Sequence, residues 1–284
     1  MAFSLSLSGG GCRAAAHIGV LKALSENKLH PVSVSGTSAG AIVAALVAVG
    51  NKPEQLIEIC SSLKKQGTKL LDWDIAGLIL SALFCPIFKN SCLLGVLRGK
   101  RLYSFLDSLF GETRINDLSV PLFITATDLL SGNTVSFSQI KPIRRLPDTV
   151  WIDDFALKDA VYCSCCLPAV FAPLETPLGV LVDGGVSNNL PVDLLFAVDS
   201  PNIIAVDLSA PRIDDSIDGL FETAHRSITV MSERLQKCYV RGDRLRISPK
   251  LPTQAGVFSF DMMEQCIKAG YDAASELIPI VKLL

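Results

Sequence analysis

Twice in the first forty residues, a run of alternating small and apolar residues ends in a glycine-bearing turn and passes directly into a helical pattern. The first is "SLSLSGGG" (4–11), with apolar residues then recurring at Val20, Leu21 and Leu24. The second is "PVSVSGTSAG" (31–40), followed by Ala, Val, Ile and Leu as far as Val49. Period-two alternation predicts strands over Phe3–Ser8 and Pro31–Ser35, and the glycines predict tight turns after them. Ala39–Val49 is apolar on every side, which predicts a helix buried all round, ended by Gly50 and Asn51.

The same alternation continues downstream. "VPLFITATDLLSGNTVSFS" (120–138) predicts two strands around a Ser-Gly-Asn turn. Asp159–Ala169 predicts a short helix ended by Pro168, and "GVLVDGGVSNNLPV" (179–192) a strand, a glycine turn and a loop before a helix near Asp193–Val198. "NIIAVDLS" (202–209) is apolar on both faces, as a strand covered on both sides must be. Helices are expected over about 220–240 and from Phe260 onward, with a short strand near Leu245–Ile247. Strands alternating with helices place the chain in the α/β class with a mainly parallel central sheet. No internal repeat or long linker divides it, so a single domain over 1–284 is expected.

Composition narrows the function. Hydrophobic residues make up 49% and charged residues 19%, enough for a large core, and the net charge of −2 argues against nucleic acid as a partner. The longest apolar stretch, Ile75–Phe88, contains Gly77, Ser81 and Pro86 and falls short of a membrane span. The N-terminus lacks the basic segment of a Sec signal and reads as a strand. A cytoplasmic or peripheral membrane protein is expected, with export by a non-Sec route left open. Nine cysteines, an odd number without framework spacing, are expected to be reduced thiols. Cys163, Cys165 and Cys166 invite a metal reading, but no second ligand pair accompanies them, so they are expected to be buried and no metal is assigned.

Three turns carry possible chemistry. "SGGGCRA" (8–14) directs backbone N–H groups outward at a helix start, where an anion or a transient oxyanion is stabilised. It lacks the third glycine and the later acid of a dinucleotide site, and the lysine of a P-loop. "GTSAG" fits the G-x-S-x-G nucleophile elbow: Gly36 and Gly40 allow close approach, Ser38 sits at the apex, and the Ala39 N–H can join the oxyanion site. The plainer reading makes Ser38 an N-cap. "VDGG" supplies Asp183 at a strand end with Gly184 and Gly185 beside it, either as an Asx turn or as the base for Ser38. Of three histidines, His17 lies below the glycine loop and His30 at the wrong end of its strand. His225 completes the order Ser38, Asp183, His225 of a hydrolase triad but sits within a helical pattern.

Taken together, Gly9-Gly10-Gly11-Cys12-Arg13-Ala14, Gly36-Thr37-Ser38-Ala39-Gly40 and Asp183-Gly184-Gly185 resemble the patatin-like phospholipases in content and order. "PLFITATDLLSGNTVSF", "YCSCCLPAVFAP", "DGGVSNNLPV" and "GYDAA" extend the resemblance over nearly the whole chain. Ala14 stands where the family has glycine and adds one methyl. The resemblance implies a three-layer α/β/α fold and a Ser38–Asp183 dyad with no histidine and no cofactor. It implies an oxyanion hole among Gly9, Gly10, Gly11, Cys12 and Ala39, with Arg13 positioning the loop or meeting a head group. The implied substrate is a phospholipid or lysophospholipid, met at a membrane surface. The apolar insert, about 70–97, followed by Arg98, Lys100 and Arg101, is expected to be either a lid or membrane-contact element or ordinary core.

Overall fold

The structure is a computed structural model that describes residues 2–74, 95–209, 220–236, 238 and 242–284. Its strands are β1 (Ser4–Leu7), β2 (Ser33–Thr37), β3 (Gly95–Leu97), β4 (Leu122–Asp128), β5 (Thr134–Phe137) and β6 (Thr149–Ile152). They continue with β7 (Ala169–Phe171), β8 (Leu174–Thr176), β9 (Gly179–Asp183), β10 (Ile203–Val206) and β11 (Leu245–Ile247). The described helices are α1 (Ala15–Glu26), α2 (Ala39–Val49), α3 (Pro53–Gln66), α4 (Lys100–Phe110), α5 (Leu157–Cys165), α6 (Val192–Ala197), α7 (Leu220–Gln236) and α8 (Met263–Val281).

The central sheet runs β11-β10-β1-β2-β4-β5-β6, with β9 on β4 and β8 on β9. β11, β10, β1, β2 and β4 are all parallel, while β5 and β9 are antiparallel to β4. Alternation along the strands sorts the core into two layers. Leu122, Ile124 and Ala126 of β4, with Ile204 and Val206 of β10, join the cluster formed by α1, α2 and α8. Phe123, Ile203 and Ala205, pointing the other way, pack on Val192, Leu194 and Leu195 of α6. Both faces are therefore covered, which is why these strands read as continuous apolar runs. This is the three-layer α/β/α arrangement with a mainly parallel central sheet expected above.

The serines of "SLSL" and "SVSGT" point to the α6 side. Ser33 donates to Ser4 (2.8 Å) and Ser35 to Ser6 (2.9 Å), so hydroxyls cross-link β1 to β2 where an apolar pair would otherwise pack. Ser35 and Thr37 also reach the carbonyls of Pro191 and Asn188, which fixes the segment after Asp183 against the sheet.

Several boundaries differ from expectation. β2 extends through Gly36 and Thr37, because Thr37 pairs with Thr125 of β4 and carries the strand to the edge of the elbow. The helix expected over 159–169 runs Leu157–Cys165, and Ala169–Phe171 becomes β7, paired with β3. Pro168 explains the break, since it cannot continue a helix. Strands β3, β6, β7 and β8 are short and lack a period-two signal long enough to be seen in sequence. Most of the insert at 70–97 lies outside the described residues. Its described ends are tied together by the Trp73–Leu97 bridge and the Arg98–Asp74 ion pair.

Candidate active site

Ser38 stands between β2 and α2 with φ of 54°, a left-handed conformation that a non-glycine residue holds only under constraint. The constraint is visible. Ser38 N–H donates to Ser164 Oγ at 2.8 Å, and the glycines on either side allow contacts that a methyl would block. A side chain on Gly36 would run into the Gly40 carbonyl, and one on Gly40 into the carbonyls of Leu7 and Ser8 at the end of β1. Ser38 occupies the N-cap position of α2, yet its hydroxyl caps nothing. It donates instead to Asp183 Oδ2 at 2.6 Å.

Register explains how a residue so distant in sequence arrives there. β2 pairs with β4 from Val34 to Thr37, opposite Leu122 to Thr125. β9 pairs with the next stretch of β4, Asp183 opposite Ala126. Ala126 and Thr125 also pair with β5, which occupies one edge of β4, so β2 and β9 must share the other. Running in opposite directions, the two strands meet head to head, and their ends carry Ser38 and Asp183. Gly184 lies against Thr125, where a Cβ would collide with the threonine hydroxyl and carbonyl.

Asp183 is buried, 3% exposed, and uses both oxygens. Oδ1 accepts from Gly185 N–H at 2.7 Å, so the Asx-turn geometry is present, while Oδ2 takes the Ser38 hydroxyl. Burial pushes its carboxyl up to about 6, and the hydrogen bonds from Ser38 and Gly185 pull it back down part of the way. A carboxylate in that range accepts a proton more readily than an exposed aspartate.

The glycine loop lies against the elbow: a Cβ on Gly9 would meet Ser38 Cβ and Asn189 Oδ1. Two amides expected to face an oxyanion are already engaged. Gly9 N–H donates to Asn189 O at 3.1 Å and Cys12 N–H to Val257 O at 2.8 Å. Among the described residues, the Gly10, Gly11 and Ala39 amides have no protein acceptor. The Gly9 amide is taken by the loop after Asp183, and the Cys12 amide because the 3₁₀ turn Gly11–Ala14 docks on the segment around Val257; both are long-range contacts unmarked in the sequence. Gly11 has φ of 56° and presses on Val257, so it meets both demands only glycine satisfies.

Arg13 folds back onto its own loop, its Nε donating to Gly10 O at 3.2 Å. Turning that carbonyl toward Arg13 directs the N–H of the same trans peptide, that of Gly11, the opposite way. His17 is fully buried, and its Nε2 donates to Ser8 O at 2.8 Å. Burial lowers it to about 4, so it is a neutral prop for the end of β1. His30 is exposed ahead of β2. His225 lies in α7, two turns before Ser232, and its side chain lies outside what is described.

Cys163, Cys165 and Cys166 are buried free thiols whose burial raises all three. Sequence reasoning passed over Ser164 between them, the acceptor that pins the elbow, and Asn189, which touches both the glycine loop and Gly185. Both sit inside segments singled out for their resemblance, but nothing in the residue types marks the contact.

A cavity of about 240 Å³ opens from Ser38 and Asp183. Ile42, Leu46, Leu56, Leu63, Leu102 and Phe105 give it an apolar wall from α2, α3 and α4. Thr229, Ser232 and Glu233 of α7 line it near Asn189 and Gly185.

The family model for patatin-like phospholipase matches residues 5–196. An uncharacterized NTE family protein of Mycobacterium bovis is 30% identical over 215 residues, covering 76% of this chain and 51% of that protein. The neuropathy target esterase of Drosophila melanogaster is 28% identical over 206 residues, 72% of this chain and 13% of that protein. The chain thus spans about half the length of the mycobacterial relative and a small part of the insect one. The crystal structure of VipD from Legionella pneumophila has the same fold, with a TM-score of 0.56 at 17% identity over 98% of this chain and 66% of that one. With more than half of its residues matched by one family model, and with the patatin fold in place, the chain belongs to the patatin-like phospholipase family.

Proposed function

We propose that this chain is a lipid acyl hydrolase that cleaves carboxylic esters of phospholipids or lysophospholipids through Ser38 and Asp183. The observation that carries the reading is the 2.6 Å hydrogen bond from Ser38 Oγ to a buried carboxylate at the head of an apolar cavity. Ser38 Oγ attacks the ester carbonyl carbon while Asp183 Oδ2 takes its proton. The oxygen that becomes negative is held by Gly10 and Gly11 N–H, with Ala39 N–H at the positive end of α2; one such donor is worth roughly 3 kcal/mol to a transition state. Asp183 returns the proton to the departing alcohol. Water, deprotonated by the same carboxylate, then cleaves the acyl-Ser38 ester and frees the fatty acid.

The acyl chain lies along the apolar wall, and the alcohol leaves past α7. Arg13 serves first as the brace of the oxyanion loop. No cofactor enters the scheme. No described helix is long and apolar enough to cross a membrane. The proposed encounter with lipid is peripheral and transient, on the side bearing Leu71, Trp73, Lys100 and Arg101.

The test is product analysis of purified protein on mixed phospholipid and lysophospholipid vesicles, with labelling of Ser38 by a fluorophosphonate. Release of free fatty acid that is lost with Ser38→Ala is the expected result. Hydrolysis that persists in a folded Ser38→Ala protein overturns the assignment.

A further inference from the structure

The Gly185 carbonyl is held from outside its own turn. Ser232 Oγ, on α7, donates to it at 2.6 Å, and Ser232 is 8% exposed. Among the described residues no backbone amide donates to that carbonyl. The same residue's N–H donates to Asp183 Oδ1 at 2.7 Å. Gly185 has no side chain to limit its torsions, so the direction of that N–H depends on what fixes the residue. α7 is itself anchored one turn further on, where Gln236 Nε2 donates to Asp207 Oδ2 at 3.3 Å. Asp207 is in turn paired with Arg246 of β11.

We propose that Ser232 is a positioning residue that sets the basicity of Asp183 through Gly185. The inference rests on the Ser38–Asp183 reading above. With the Gly185 carbonyl gripped, its N–H stays aligned on Oδ1 and favours the ionised carboxylate. Released, the N–H wanders and the carboxylate loses part of its support, so it holds its proton to higher pH. Other groups facing Asp183 do not replace this control. Ser38 contacts Oδ2, the other carboxylate oxygen, and Cys165 at the end of α5 and Cys166 just after it are thiols that burial raises. Ala126 and Thr127 on β4 are uncharged. Arg13 and Glu233 line the same cavity, and neither changes in the variants below.

The experiment follows hydrolysis of a short-chain nitrophenyl ester, and the rate of fluorophosphonate labelling at Ser38, from pH 4.5 to 9. Ser232→Ala is expected to move the acid limb of both profiles up by about half to one pH unit, the effect of losing a hydrogen bond that supports a charge. At pH 4.5 this lowers the rate about three- to tenfold, at pH 6 about two- to fivefold, and above pH 8 the loss all but vanishes. Ser232→Thr, which keeps the hydroxyl, is expected to restore the limb. A folded Ser232→Ala protein whose acid limb does not move, or whose rate falls equally at every pH, overturns the proposal. Absence of labelling in the wild-type protein would instead overturn the dyad on which it rests.

Discussion

The elbow that carries Ser38 and the strand end that carries Asp183 meet in one hydrogen bond, yet they are held by different means. The elbow is shaped by its neighbours in sequence. Gly36 packs on the Gly40 carbonyl, Gly40 on the end of β1, and α2 starts at once. The Asp183 end is shaped from afar, by register on β4, by Cys166 O accepting its N–H, and by Ser232 acting on Gly185. The elbow stores backbone strain, and the aspartate carries a cost of burial. The two halves are therefore expected to respond differently to mutation, although the proposed activity needs both.

Ser38→Ala should produce the largest loss, roughly four orders of magnitude or more in kcat/KM, with the fold retained. Asp183→Asn should follow, roughly three to four orders, because nucleophile and base work as a unit. Here the halves should separate in stability. The folded protein holds the Asp183 proton to about pH 6 against 3.8 ordinarily, so its stability is fully present below pH 4 and falls as pH rises through 6. The lift corresponds to roughly 3 kcal/mol at most. Asp183→Asn should therefore melt higher than wild type at pH 8 and lose that advantage by pH 4, as read by thermal denaturation at both. Ser38→Ala should show no such pH-dependent gain.

Gly40→Ala sharpens the elbow side. The added methyl meets backbone carbonyls of β1 that cannot step aside, so destabilisation of roughly 1–3 kcal/mol is expected, with a larger drop in activity than in stability. Ser164→Ala leaves the Ser38 N–H unsatisfied in the same strained turn. About tenfold lower kcat is expected, visible at all pH values rather than on the acid limb. A Ser164→Ala profile that shifts in pH would erase the distinction between the halves.

The smallest effect is expected from His225→Ala, which should stay within a few-fold of wild type on a nitrophenyl ester, since Asp183 already contacts Ser38, the proposed nucleophile. A triad histidine would instead cost about four orders of magnitude. Such a collapse in a folded protein would remove Asp183 from its role as direct base.

What the chain's own order of residues determined is the local part of this design. Alternating serine and leucine set two strand faces, glycines at 9–11, 36 and 40 set turns, and the apolar run 39–49 set a helix buried all round, because each depends on neighbours a few residues apart. Only the tertiary structure decided which partners those turns meet. The abutment of β2 and β9 on β4, the capture of Gly9 and Cys12 amides by Asn189 and Val257, and the grip of Ser232 on Gly185 join positions far apart in the chain. A backbone amide looks the same in sequence whether it is free or occupied. Its partner is fixed by how the strands and helices pack, and that depends on the whole core rather than on any five residues.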